Sequence, residues 1–233
     1  VPSDSTDSSP NLVVAIDGPS GSGKSSVARR VAAALHLRYL DTGAMYRAVT
    51  WWLLEQGVDL TDTRRVGQLA PQAPVRVGLD PVTPTVHVGD VDVAAAIRES
   101  RISAEVSKVA TNLTARADLV ARQQHVAAQG GVVIEGRDIT TVVAPDAAVR
   151  VLLTASEETR LARRAQELHG TVDAGALDAT RDQVARRDAD DSTVARFREA
   201  ADGVDVVDSS QLTLDETVGA VLELVEKRTG ITP

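Results

Sequence analysis

The chain has 233 residues, enough for one large domain with small insertions and a substantial buried core. It contains no cysteine, which excludes disulfides, thiolate nucleophiles and cysteine-held metals, and no apolar run near the roughly 20 residues of a membrane span. A net charge of −8 argues against a nonspecific nucleic-acid surface, and Lys24, Lys108 and Lys227 are the only lysines. The arginine excess reads either as a compositional habit or as guanidinium reserved for phosphate, so position has to decide.

Residues 1–10, VPSDSTDSSP, read as a disordered tail and not as a signal peptide, because no basic stretch precedes an apolar one. An apolar strand at 12–16 leads into Gly18, Pro19, Ser20, Gly21, Ser22, Gly23, Lys24 and Ser25, and a helix is expected over 24–35. This is G-x-x-x-x-G-K-S between a strand and a helix, where small residues let successive backbone N–H groups converge on phosphate. Lys24 is placed to reach the β- and γ-phosphates and the Ser25 hydroxyl to sit on Mg²⁺, with Ser26 counted beside them. The loop names an ATP or GTP donor but not the acceptor. Asp17, next to it, is a candidate for the metal's water shell.

A strand at 38–40 precedes a helix over 42–56. Asp41 can cap that helix, and Tyr46 and Arg47 lie on its first turns, at the strand edge where ligands sit in such sheets. Arg47 reads either as the holder of an acceptor phosphate or as an exposed helical arginine. Trp51 and Trp52, among Ala48, Val49, Leu53 and Leu54, read as packing rather than base-stacking platforms. A short helix over 59–69 is followed by 71–92, whose prolines, V-R-V-G-L and V-H-V runs and turn pairs predict a small antiparallel insertion.

Further strands are predicted at 132–134, 148–153 and 204–207, with helices over 156–168 and 213–228. Short continuous apolar strands alternating with helices predict a parallel sheet covered on both faces. Gly136, Arg137 and Asp138 follow Glu135 at the same sheet edge, as a phosphate clamp beside an acceptor carboxylate or as a self-satisfied pair. Arg160, Arg163 and Arg164, then Arg181, Arg186, Arg187, Asp188, Asp190 and Asp191, lie on two helices joined by a glycine-bearing connection, 169–176. They can close over a transferring phosphate and exclude water, or form a solvated pair laced by charges four residues apart.

With these pieces placed, IDGPSGSGKSS (16–26), YLDTGAMYR (39–47), IRESRISAEVSKVA (97–110), ARADLVARQQ (115–124), VIEGRDITTVVAPDA (133–147) and RRDADDS (186–192) resemble the bacterial cytidylate kinases. These are the (d)CMP kinases of the nucleoside monophosphate (NMP) kinase group of P-loop kinases. GPSGSGKS followed by LDTGAMYR is far more specific than a phosphate loop alone.

The resemblance implies an α/β fold, a P-loop NTPase-type three-layer sandwich with a central parallel sheet, a small NMP-binding subdomain with antiparallel strands, and a helical lid. It implies one kinase domain over 11–233, with the NMP-binding insertion at about 71–106 and the lid at about 164–192. It implies phosphoryl transfer from ATP, with Mg²⁺, to CMP or dCMP, by a cytoplasmic monomer with no nucleic-acid or membrane partner.

Carried onto this sequence, residues 18–26 would hold the ATP phosphates. Thr42, Tyr46 and Arg47 would line the acceptor site, with Arg47 on the CMP phosphate. Ser107, Arg116 and Asp138 would read the cytosine edge, and Arg137 would hold phosphate between donor and acceptor. Arg187 would meet phosphate from the lid side and Asp191 the sugar hydroxyls. Lys24, Arg47, Arg137 and Arg187 would neutralise developing charge. A carboxylate opposite the cytosine amine, with donors opposite its ring nitrogen and carbonyl, disfavours uracil.

Two positions depart from the family pattern. Thr140 stands where a glycine is usual; a β-branched residue does not comfortably take a positive φ, so either none is needed or the loop is altered. Val194 stands where the lid pattern D-S-x-R has a phosphate-binding arginine, and Arg196 and Arg198 are the nearest substitutes. That loss leaves a weakened or noncatalytic kinase-like protein open. The other rivals are a kinase for a different nucleotide, shikimate or a sugar acid, and a P-loop switch, although no suitably placed D-x-x-G sensor stands out.

Overall fold

The structure, a computed structural model, describes residues 11–232, apart from the side chains of Gln183 and Arg187. The expectations for residues 1–10 and for the Arg187 side chain lie outside the described residues. In chain order come β1 (Val13–Asp17), α1 (Lys24–Ala34), β2 (Arg38–Asp41), α2 (Thr42–Glu55), α3 (Thr63–Leu69), β3 (Val75–Val77), β4 (Val86–Val88) and β5 (Val91–Asp92). They are followed by α4 (Ser100–Ala110), α5 (Leu113–Ala128), β6 (Val132–Gly136), β7 (Val149–Thr154), α6 (Glu157–His169), α7 (Ala174–Ser192), β8 (Asp205–Asp208) and α8 (Leu214–Thr229).

The main sheet has the order β2-β6-β1-β7-β8 and is parallel throughout. Its strands alternate between two buried faces, which is why they read as unbroken apolar runs. Val14, Ile16, Val133, Val151 and Leu153 pack against Val27, Val31, Val221 and Val225 of α1 and α8. Ala15, Leu40, Val132 and Ile134 pack on the opposite face against Met45, Val49, Val106 and Leu119 of α2, α4 and α5. The result is a three-layer sandwich, with α6 and α7 as its helical lid.

Register brings the chemistry together. Asp17 pairs with Gly136, and both Ile16 and Asp41 pair with Glu135, so the C-terminal ends of three adjacent strands stop at one level. At that edge β1 runs into the glycine loop. Gly23 caps α1 at φ 89°, a conformation that a side chain would strain.

Side chains punctuate most of the other helices. The Asp41 carboxylate accepts from the Ala44 N–H at 2.7 Å and starts α2, as expected. Thr213 and Glu216 form a reciprocal capping box on α8. α3 begins later than the sequence predicts, because the Asp59 carboxylate accepts from the Thr61 N–H and hydroxyl, both at 2.8 Å. That local turn competes with helix until Asp62 caps it. α4 and α5 were not among the predicted elements.

The small sheet, β3-β4-β5, is antiparallel as the 71–92 segment predicts. Val86, Val88, Val93 and Ile97 pack it onto Ala44 and Ala48 of α2, with Trp51 and Trp52 half-buried alongside. Both tryptophans therefore serve packing. Among the described residues no helix is long and apolar enough to cross a membrane.

Candidate active site

A cleft of about 570 Å³ opens over the C-terminal strand edge. Its walls include Ser20, Gly21, Ser22, Gly23, Lys24, Ser25 and Ser26 of the glycine loop, and also Thr42, Tyr46, Arg47, Arg116, Arg137, Asp138 and Asp191. Gly18 and Pro19 lie outside that lining; the Pro19 carbonyl instead accepts from the Lys24 ammonium at 3.2 Å. Ser107 also stays out of the lining and donates to Asp191 at 3.4 Å.

The loop is braced from α6. Arg160 donates to the Ser20 carbonyl at 2.9 Å, and Arg163 to the Ser22 carbonyl at 3.3 Å and the Ser209 carbonyl at 2.7 Å. These arginines are thus already engaged with the loop that would carry the donor. Arg181 and Arg186 are exposed, so the solvated-face reading holds for them.

Beneath the loop lies a buried acidic floor that the sequence reading did not single out. The Ser25 hydroxyl donates to Glu135 at 2.7 Å, and the Tyr39 hydroxyl donates to the same oxygen at 3.3 Å. Burial, and then the Asp41 charge, push the Glu135 carboxyl up to about 7. Burial also works against Asp41, but Arg47 at 3.0 Å and the Ala44 N–H outweigh it and hold that carboxyl below its ordinary value. Among the described residues no trio of acidic or histidine side chains could hold a metal alone. A hydroxyl beside one buried carboxylate does suit Mg²⁺, which keeps several waters and takes few protein ligands besides substrate phosphates.

At the ends of β2 and β6, Thr42 donates to the Glu135 carbonyl at 2.8 Å, and a Cβ on Gly136 would come within 2.5 Å of that hydroxyl. This close approach is what requires glycine at 136. Arg116 and Asp138 form an ion pair whose side chains are 14% and 7% exposed. Burial raises the Asp138 carboxyl and the Arg116 charge opposes it; the balance stays upward. Arg47 Nε is buried without a hydrogen-bond partner, a donor left for something else to meet, whereas the Tyr46 hydroxyl lies beside the Gln123 side chain. Burial pushes the Tyr46 phenol up to about 12.

A family model described as cytidylate kinase matches residues 14–227 of this chain. The chain belongs to the cytidylate kinase family. It is 49% identical over 216 residues to the cytidylate kinase of Cutibacterium acnes, covering 92% of this chain and 96% of that one. It is 44% identical over 223 residues to the cytidylate kinase of Streptomyces avermitilis, covering 94% of each. The cytidylate kinase of Rhodococcus opacus is 45% identical over 229 residues, covering 96% of this chain and 99% of that one.

Membership in the cytidylate kinase family makes the two departures informative. Among the described residues His36 is the only non-glycine with a positive φ, so Thr140 needs none. Residues Ile139–Val143 form one π-helical turn, and Asp17 holds its start. Asp17 accepts from the Ile139 N–H at 2.8 Å, the Thr140 N–H at 2.9 Å and the Thr140 hydroxyl at 2.6 Å. Both Asp17 oxygens are thereby committed to the backbone after Asp138 rather than to a metal's water shell.

Burial pushes the Asp17 carboxyl up to about 6, against the pull of the Thr140 hydroxyl. A raised carboxyl contributes stability below its ordinary value of 3.8 that is lost as pH rises through about 6. Thr140→Val removes the strongest opposing donor, so the carboxyl rises further and the deficit grows with pH. We expect Thr140→Val to cost about 1.5–3 kcal/mol at pH 8 and less below pH ~5, measured by urea unfolding at both pH values. A pH-independent deficit would deny the bond its charge assistance.

At the lid, Val194 lines the cleft, whereas Arg196 and Arg198 are exposed and do not. Neither refills the missing arginine. Arg137 is gripped from the lid side instead, by Asp188 and Asp191, each at 2.8 Å. Asp188 also takes Arg160 at 2.7 Å and the Ser20 N–H at 3.2 Å, tying α7 to the glycine loop.

Proposed function

We infer that the chain transfers the γ-phosphoryl group of ATP to CMP or dCMP, giving ADP and CDP or dCDP. One observation carries this reading. A single cleft is lined both by the glycine loop and by the buried Arg116–Asp138 pair, with Arg47 and Arg137 in the same lining.

The acceptor phosphate oxygen attacks in line, so no side chain acts as nucleophile. Loop N–H groups and Lys24 hold the donor phosphates. Arg47, released from Asp41, takes the acceptor phosphate. Arg137 exchanges its lid carboxylates for phosphate, and Asp191, freed in turn, meets the sugar hydroxyls. Asp138 accepts from the cytosine amine while Arg116 donates to the base's acceptors, with Ser107 behind them and Thr42 and Tyr46 on the wall. The family resemblance adds Arg187 to the phosphate contacts. Ser25 and Glu135 would hold Mg²⁺, which when bound neutralises charge on the β- and γ-oxygens. The lid helices keep water from the donor, and holding both substrates in one dry cleft supplies much of the rate. The reading takes the enzyme as a cytoplasmic monomer.

A coupled ADP-release assay tests the reading. ADP should form rapidly with CMP or dCMP and slowly with AMP, shikimate or no acceptor. Fast release with shikimate would make the chain a different kinase, and acceptor-independent release would make it a switch.

A further inference from the structure

Arg137 has a third lid-side partner, and its geometry differs from that of the two aspartates. Arg137 Cζ lies over the Phe197 ring, 4.4 Å from its centroid. Phe197 is fully buried and is the only phenylalanine of the chain. It follows Val194 and Ala195, which line the cleft.

A guanidinium presents its N–H donors in its own plane, and here two of them point at carboxylates, NH1 at Asp188 and Nε at Asp191. While the aspartates hold them, those two donors are closed to phosphate. The ring takes neither of the donors that the two aspartates use. It attracts the cation through its quadrupole and holds the guanidinium in place, whichever anion meets its donors. Val194, which lines the cleft, brings no charge there, so the aim of Arg137 carries more of the stabilisation.

We propose that Phe197 is a positioning residue for phosphoryl transfer. Its ring holds the Arg137 guanidinium by cation–π attraction while the donors pass from Asp188 and Asp191 to phosphate. This rests on the role given to Arg137 above.

Because Phe197 is the sole phenylalanine, expression with fluorinated phenylalanine alters this one ring and nothing else. Mono-, di- and trifluorophenylalanine keep the ring's shape while stepwise weakening its negative face. Across the series kcat for CMP is expected to fall progressively, by about 3- to 30-fold in all, with KM for ATP and CMP changing less than about twofold. Melting temperatures should stay together, and the series should be flat in an Arg137→Ala background. A flat kcat in the unmutated protein, or the same slope without Arg137, would reduce Phe197 to lid packing and overturn the proposal. Absence of CMP turnover in the unsubstituted protein would instead fail the functional reading, so the two failures are distinct.

Discussion

Asp138→Ala is expected to lower kcat/KM for CMP by about 10²- to 10³-fold while leaving ATP affinity within about twofold. The carboxylate is buried, carries its partner Arg116 with it and lines the same cleft as Arg47. Removing it takes the acceptor from the cytosine amine and strands a guanidinium that is only 14% exposed. The second effect is structural, and breaking a buried pair costs about 3–5 kcal/mol. Asp138→Asn separates the two. It keeps the shape and one acceptor but adds a donor that can meet the uracil carbonyl, so the CMP-to-UMP preference should fall at least about tenfold. Initial rates with both nucleotides, beside calorimetric ATP binding, decide the matter. An equal loss of ATP affinity would remove Asp138 from base recognition.

Lys24→Met should reduce kcat by about 10²- to 10³-fold, the scale for losing one preorganised charge on a transferring group. Its ammonium rests on the Pro19 carbonyl at 3.2 Å, part-buried at the mouth of the loop. A long apolar side chain retains the stem packing, so the melting temperature should hold. KM for CMP should change little, since the lysine serves the donor. Single-turnover kinetics at saturating ATP provide the check, and a loss below about fivefold would place the charge burden on the arginines.

What could be read in advance was local. The glycine loop, the Asp41 cap and the small antiparallel insertion each announce themselves within a few residues, because turns, caps and phosphate nests are short-range devices. The unbroken apolar strands likewise declared a covered parallel sheet. Long-range partnerships were not legible in the same way. Glu135 meets Ser25 from 110 residues away, through the register of β6 between β2 and β1. Its place as the first residue of E-G-R-D at a strand edge was the available signal. The pairing of Asp17 with Thr140 spans 123 residues and turns an unexplained departure into a clamp. Arg160 and Arg163 read as candidate phosphate ligands, yet tertiary packing sets them bracing the loop. Phe197 belongs to no local motif, and only the fold brings its ring to Arg137.

The central claim is that a phosphate loop and a cytosine-reading pair share one cleft. Competition measures this most directly: equal CMP, UMP and AMP, with limiting ATP carrying a radioactive γ-phosphoryl group and Mg²⁺, and the labelled diphosphates separated by chromatography, so that the ADP left by the donor is not counted. CDP should dominate, at least about tenfold over UDP and ADP formed from AMP. Labelled products in comparable amounts, or labelled UDP or ADP in excess, would contradict the account.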